Sequence, residues 1–317
     1  MTETFASYSL IAIYSAMAVY TLAFVAFTLD LARRNTSVPI AAAAPAGAVL
    51  NASSVATKVE APAPPTPTSR HSRSLRVAMA LTVIGFLLHA AGVVLRGLAA
   101  GYAPWSNLYG FAITATVLIV GVFLGVQFWQ DLRYLGAYIV GFSLVFLGLA
   151  TVNFYVEVGP QPPPLQSVWL VIHVFVAILG TAFFAIGAGL SVVQLLQSRR
   201  EQGLSSARYL STVPSAVTLE NLAYRVILVG FVFWTFTLIA GAVWAERAWG
   251  RYWGWDTKEV WTFIIWTIFA GYIHARATRG WRGSRSAWLA LIGFSAVLFN
   301  FTIVNLFFKG LHSYSGL

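Results

Sequence analysis

Apolar residues along this chain gather in long runs separated by short turn signals. The runs fall at 8–31, 77–98, 107–129, 134–155, 168–197, 223–244, 259–276 and 286–308. A helix needs about 20 apolar residues to cross a bilayer core of about 30 Å, and these runs are of that order. The pattern predicts an all-α, polytopic integral membrane protein of about eight transmembrane helices. The first run is too long for the apolar stretch of a signal peptide and no basic segment precedes it, so it is expected to stay as a helix.

Composition removes the soluble alternative. Apolar residues are 58% of the 317, charged residues only 9%, and the mean hydropathy is +0.75. A soluble chain carries roughly 25% charged residues. The net charge of +10, from 20 basic and 10 acidic residues, would point to nucleic acid in a soluble protein. In a membrane chain it measures orientation instead, and no nucleic-acid partner is expected. With the N-terminus outside, the inner gaps hold fifteen Lys and Arg residues: Arg33, Arg34, Lys58, Arg70, Arg73, Arg76, Arg133, Arg199, Arg200, Arg208, Arg225, Arg276, Arg279, Arg282 and Arg285. The outer side holds five: Arg96, Arg247, Arg251, Lys258 and Lys309. That asymmetry places both termini on the outer side.

Residues 1–34 are thus expected to form a first transmembrane helix, and 35–75 an Ala- and Pro-rich cytoplasmic linker too poor in core residues to fold. Residues 76–317 are expected to form a seven-helix domain. There is no cysteine, which excludes disulfides, thiolate metal sites and a cysteine nucleophile in this chain. Any thiol chemistry must use a partner's sulfur. Only three of the basic residues are lysine, and alanine and glycine abound, which favours a bacterial plasma membrane over a plastid thylakoid.

One outer segment, 244–261, holds five of the twelve tryptophans. Interfacial belts also collect Trp and Tyr, so a membrane anchor explains the cluster as well as a binding surface does. Asp256 with Glu259 three residues later equally reads as an N-cap pair opening the next helix. Glycines set between large rings suggest a shaped aromatic shelf for a flat apolar ligand of porphyrin size.

The pattern Trp249-Gly250-x-x-Trp253-x-Trp255-Asp256-x-x-Glu259 resembles the tryptophan-rich WWD signature of the heme-handling superfamily. Tyr272, His274 and Arg276, then Gly280-Trp281, the terminal Gly310-Leu311-His312-Ser313-Tyr314 and Pro104-Trp105-Ser106-Asn107-Leu108-Tyr109 are similar to further signatures of the CcsA/ResC-type family of system II cytochrome c biogenesis. Gly110 stands where that last signature often has an acidic residue, so no catalytic part is expected of its loop. The resemblance runs from about residue 80 to the C-terminus.

It implies a heme-handling (cytochrome c assembly) domain that moves heme b to the outer face and attaches it to the Cys-x-x-Cys-His segment of an apocytochrome c. Cytochrome c heme lyase (synthase) activity would be shared with a CcsB/ResB-type membrane subunit. It also implies His173 and His312 as paired axial ligands of an outer heme iron, and His274 as one ligand of an inner heme iron whose other ligand is a partner histidine. The loop residues Trp249, Gly250, Trp253, Trp255, Asp256 and Glu259 would present the heme, with Trp253, Trp255 and Asp256 binding it, and with no acid–base triad.

The residues themselves say less. His173 lies about 8 Å inside its span, sharing a helix face with Trp169. His312 sits in the outer tail. His274 is about 26 Å below the outer edge, too deep to share an iron with His312. His71 reads as solvated, and His89, in mid-membrane, as a hydrogen-bonded core histidine or a functional group. Arg247, Arg251 and Lys258 are cations available to heme propionates, or simply a solvated rim. No flavin or dithiol motif is visible, so an external thiol reductant is expected. Two other classes stay open: a heme carrier or exporter serving a separate synthase, and an ion-coupled carrier. No acidic residue near the centre of a span favours the latter.

Overall fold

The computed structural model describes residues 2–36, 72–278 and 280–312. The predicted linker, apart from its two ends, falls outside the described residues, as do His71 and Arg279. Eight long helices follow in order: α1 (Thr2–Thr36), α2 (Arg73–Ala100), α3 (Leu108–Val126), α4 (Gly136–Asn153), α5 (Val168–Glu201), α6 (Ala216–Trp249), α7 (Thr257–Thr278) and α8 (Ser284–Phe299). Helix α8 runs on through a π-turn at Asn300–Val304 to Phe307.

Seven of these, all but α7, are long and apolar enough to cross a membrane, so the chain is a multi-pass membrane protein. Among the eight predicted spans, α7 differs because Lys258, Glu259, His274 and Arg276 dilute its apolar run. It is nonetheless 22 residues of helix packed against α6 and α8.

Polar caps set the helix ends. Ser72, Asn107, Ser167 and Ser215 each accept a backbone N–H of the following turn, opening α2, α3, α5 and α6. Helix α2 therefore starts three residues ahead of the predicted boundary at 76. Gly250, in the left-handed region with φ 71°, stops α6. The apolar run ends at Trp244, but α6 continues to Trp249, so only 250–256 of the tryptophan segment is loop.

The most extensive helix pairings are α1 with α2 and α5 with α6. The first pair is antiparallel: Ser9 donates to the Gly92 carbonyl, Tyr20 meets His89, and Asp30 accepts from Ser72 and Ser74. In a bilayer the lipid tails are as apolar as the side chains, so close packing through small residues replaces the hydrophobic drive. Gly180 meets the Gly230 carbonyl and the Trp234 amide of α6 at distances that leave little room for a methyl group. Phe184 of α5 stacks on Phe269 of α7 with ring centroids 3.7 Å apart.

At the arginine-rich end, the Arg276 guanidinium and the Glu220 carboxylate form a buried ion pair at 2.7 Å. The second Glu220 oxygen accepts from Gly283 N at 2.9 Å. One carboxylate thereby ties α6, α7 and the α7–α8 turn together. Pairing and hydrogen bonding at both oxygens is what makes a buried charge tolerable.

Candidate functional site

The loop between α6 and α7 folds around one carboxylate. Glu259, 8% exposed, reaches back with Oε2 to the N–H groups of Gly254 at 2.8 Å and Asp256 at 3.0 Å. That is half of a capping box, with Glu259 in the structural role the sequence allowed. The Asp256 side chain goes elsewhere: its Oδ2 accepts from His312 Nδ1 at 2.6 Å. The hydrogen bond from His312 holds the Asp256 carboxyl below its ordinary value, although partial burial opposes this. Gly310 makes the approach possible, because a Cβ there would collide with Asp256. Trp255, between these anchors, has φ 58°, a left-handed conformation costly for a large side chain, and is 72% exposed.

His173 is mounted differently. Its Nδ1 lies 3.0 Å from the Thr237 carbonyl of α6, which can only accept, so Nδ1 carries the proton and Nε2 is left as a lone-pair donor. A Cβ on Gly241 would stand 2.7 Å from the His173 ring, so a glycine is needed for the ring to lie against α6. With Nδ1 of His312 turned to Asp256, both imidazoles keep Nε2 for a ligand.

Both histidines line one cavity of about 210 Å³, whose wall also includes Trp234, Trp244, Trp253 and Lys258. Trp244 touches both rings: it lies near parallel to His173 at 5.9 Å and edge-on to His312 at 5.5 Å. Its indole N–H donates to the Pro164 carbonyl at 2.9 Å, which fixes its plane. Trp249 packs edge-on against Trp244 at 4.7 Å and His312 at 4.8 Å. Among the described residues no three His, Asp or Glu side chains gather to cage a bare ion. Two imidazoles on an apolar aromatic cavity suit instead a flat macrocycle that brings its own equatorial donors, so the residues fit heme.

The structure thus joins His173, His312, Asp256, Trp253 and Glu259 around one place. Trp255 and Gly250 belong to the loop but not to the cavity wall. His274, 17 residues into α7, is at the other end, exposed, with no side-chain hydrogen bond among the described residues. Arg247 is exposed and its guanidinium lies over Trp169 at 5.7 Å, and Arg251 is exposed, so neither lines the cavity; Lys258 does. His89 is fully buried and packs edge-on to Tyr20 at 5.9 Å, away from the cavity. Gly110 sits beneath the Pro104 carbonyl, where a side chain has no room. Sequence reasoning missed Trp244 as the ring touching both histidines, and the Thr237 carbonyl and Gly241 that orient His173. A backbone carbonyl has no sequence signal, while Gly241 was visible four residues beyond Thr237, one helical turn along.

These features define a polytopic helical membrane protein with a two-histidine, tryptophan-walled cavity at one end. A family model described as "Cytochrome C assembly protein" matches residues 105–312. The chain is 36% identical over 240 residues to the "Cytochrome c biogenesis protein CcsA" of Guillardia theta, covering 70% of this chain and 80% of that protein. It is 36% identical over 275 residues to the protein of that name from Synechococcus elongatus, covering 73% and 85%. For that of Microcystis aeruginosa the identity is 34% over 288 residues, covering 76% and 86%. The chain belongs to the cytochrome c assembly protein family, in its CcsA-type branch. Its fold is similar to that of a solved "Cytochrome c Heme Lyase CcmF", with TM-score 0.64 and 17% identity over 94% of this chain. The chain spans 46% of that lyase, and at this identity the likeness concerns the fold alone.

Proposed function

We propose that this cytochrome c biogenesis protein is the heme-handling subunit of a system II cytochrome c synthase. It brings heme b to the tryptophan-loop end and joins it there to apocytochrome c. The observation that carries this is the shared cavity of His173 and His312, each with Nδ1 engaged and Nε2 available. Heme is the substrate. The two imidazoles hold its iron from opposite faces, Trp253 and Trp244 wall the macrocycle, and Asp256 keeps the His312 ring aimed. Heme-bearing chemistry is limited to addition: each peptide S–H adds across one vinyl C=C, forming a C–S and a C–H bond with no net change of oxidation state. The chain has no cysteine, so both sulfurs are the substrate's. Its own contribution is placement, which converts two bimolecular additions into local ones. The peptide's histidine takes an axial position, so one of the two imidazoles leaves as product forms.

The tryptophan-loop end, on this account, faces outward and the arginine-rich end faces the cytoplasm. His274, exposed near the arginine-rich end, ligates an inner heme together with a histidine of a CcsB/ResB-type subunit. Residues 76–317 act as the heme-handling unit, in a bacterial plasma membrane, with thiols kept reduced by an external system. The test is co-expression with that partner and a Cys-x-x-Cys-His apocytochrome, scored for covalent heme. Wild type should give product, and His173→Gly or His312→Gly none, with partial rescue by imidazole. Product from both variants without imidazole would remove the two-histidine site. His274→Ala should empty both heme positions; normal outer loading in that variant would rule out an obligatory inner site.

A further inference from the structure

Lys258 stands in the first turn of α7 and lines the cavity shared by the two histidines. Its Nζ donates to the Asn300 carbonyl at 2.9 Å and to Asn305 Oδ1 at 2.7 Å. Both acceptors belong to the π-turn region at the end of α8, and π-turns inside helices recur at functional sites. An ammonium has three donors, and among the described residues no carboxylate lies within ion-pair distance of this one. The one acidic residue in the same wall, Glu259, has an oxygen committed to the Gly254 and Asp256 amides. Asn300, 4% exposed and in the same wall, has its Oδ1 without a hydrogen-bond partner among the described residues.

A buried ammonium whose direct acceptors are both neutral, with Asp256 acting on it only beyond ion-pair distance, is an expensive arrangement until a closer counter-charge arrives. An occupant carrying a carboxylate supplies it, and a water on that carboxylate can donate to Asn300 Oδ1. Of the loop cations the sequence offered, Arg247 and Arg251 do not line the cavity. We propose that Lys258 is a carboxylate subsite that takes one heme propionate and thereby fixes which edge of the macrocycle the peptide's thiols meet. This rests on the two-histidine heme reading above. In heme b the propionates occupy one edge and the vinyl groups lie on the other two pyrroles. A propionate held against the α7–α8 wall turns the vinyl groups away from that wall. The two histidines alone leave the macrocycle free to rotate about the axis joining them; Lys258 removes that freedom.

The test uses the purified full chain with its partner subunit on a His274→Ala background, so that inner heme adds no signal. It is titrated with iron protoporphyrin IX and with its dimethyl ester, which has the same ring, iron and vinyl groups but no carboxylate. The readout is affinity, followed through the bis-imidazole absorption spectrum. Wild type should prefer the free acid by on the order of 30-fold, the low end for losing one partner of a buried charge pair. Lys258→Met should abolish that preference, and Lys258→Arg should retain part of it, which separates lost charge from a damaged fold. No preference in wild type, or an unchanged preference in Lys258→Met, would overturn the assignment. A bis-imidazole spectrum that survives His173→Gly with His312→Gly marks failure of the heme site itself, and the Lys258 subsite falls with it.

Discussion

The helical wall at α5–α6 and the tail beyond α8 each bring one histidine to the same cavity, but by different means. His173 is part of a continuous helix, and its Nδ1 faces a neutral backbone carbonyl. His312 hangs on a short tail and is held by a carboxylate whose own loop is fixed by Glu259. A charge-assisted hydrogen bond is roughly twice as strong as a neutral one, and it pushes electron density into the ring. His312 is thus the stronger donor on the weaker scaffold, and His173 the weaker donor on the stronger scaffold. Under the proposed two-histidine reading, asymmetry of this kind would give one ligand reason to stay when the peptide's histidine arrives and the other reason to leave.

Substitutions that sharpen the contrast order themselves by size. Removing either imidazole should be most damaging, with loss of nearly all covalent product, read by heme staining of the apocytochrome. Asp256→Asn keeps the shape but removes the charge; heme affinity should drop by roughly 10–100-fold, and the iron potential should rise, as read by redox titration. An unchanged potential in that variant would erase the proposed difference between the two mountings.

Trp253→Ala should lower heme occupancy in normally inserted protein, while Trp255→Ala, altering an exposed side chain, should lower it less. Gly241→Ala presses a methyl group against the His173 ring, and overpacking of this kind costs about 1–3 kcal/mol; it should weaken heme binding and leave the Asp256–His312 contact in place. The pH effect is smallest. Since Asp256 titrates below its ordinary value in the folded protein, the His312 tether is fully present above that ordinary value and is lost only as the pH falls through the lowered one. Heme retention should hold through the neutral range and weaken in acid. Asp256→Asn should remove the part of that loss due to protonation of Asp256 while leaving the part due to protonation of the imidazoles.

Most of the architecture was legible from apolar runs, because a membrane demands long uninterrupted spans and leaves their signature in plain sequence. The ends were not: α6 outruns its apolar stretch to Trp249, where Gly250 stops it, and α7 is helical with polar residues that dilute it. At the site, Asp256, His173 and His312 were visible as residue types. Their partners were less so. The Thr237 carbonyl has no side-chain signature, and the inward turn of Lys258 beside the outward Arg251 depends on where the first turn of α7 begins. The same tryptophan-rich segment offered three cations, and the direction each points is a property of three-dimensional packing.

The measurement that bears most directly on the central claim is the absorption spectrum of heme bound to the purified chain with its partner subunit. His274→Ala serves as the background, so that inner heme does not contribute, and heme is supplied exogenously to the outer cavity. The two-histidine cavity predicts a six-coordinate, bis-imidazole spectrum. It should become five-coordinate in His173→Gly or His312→Gly, return on adding imidazole, and vanish in the double variant. A six-coordinate spectrum unchanged in the double variant would contradict it.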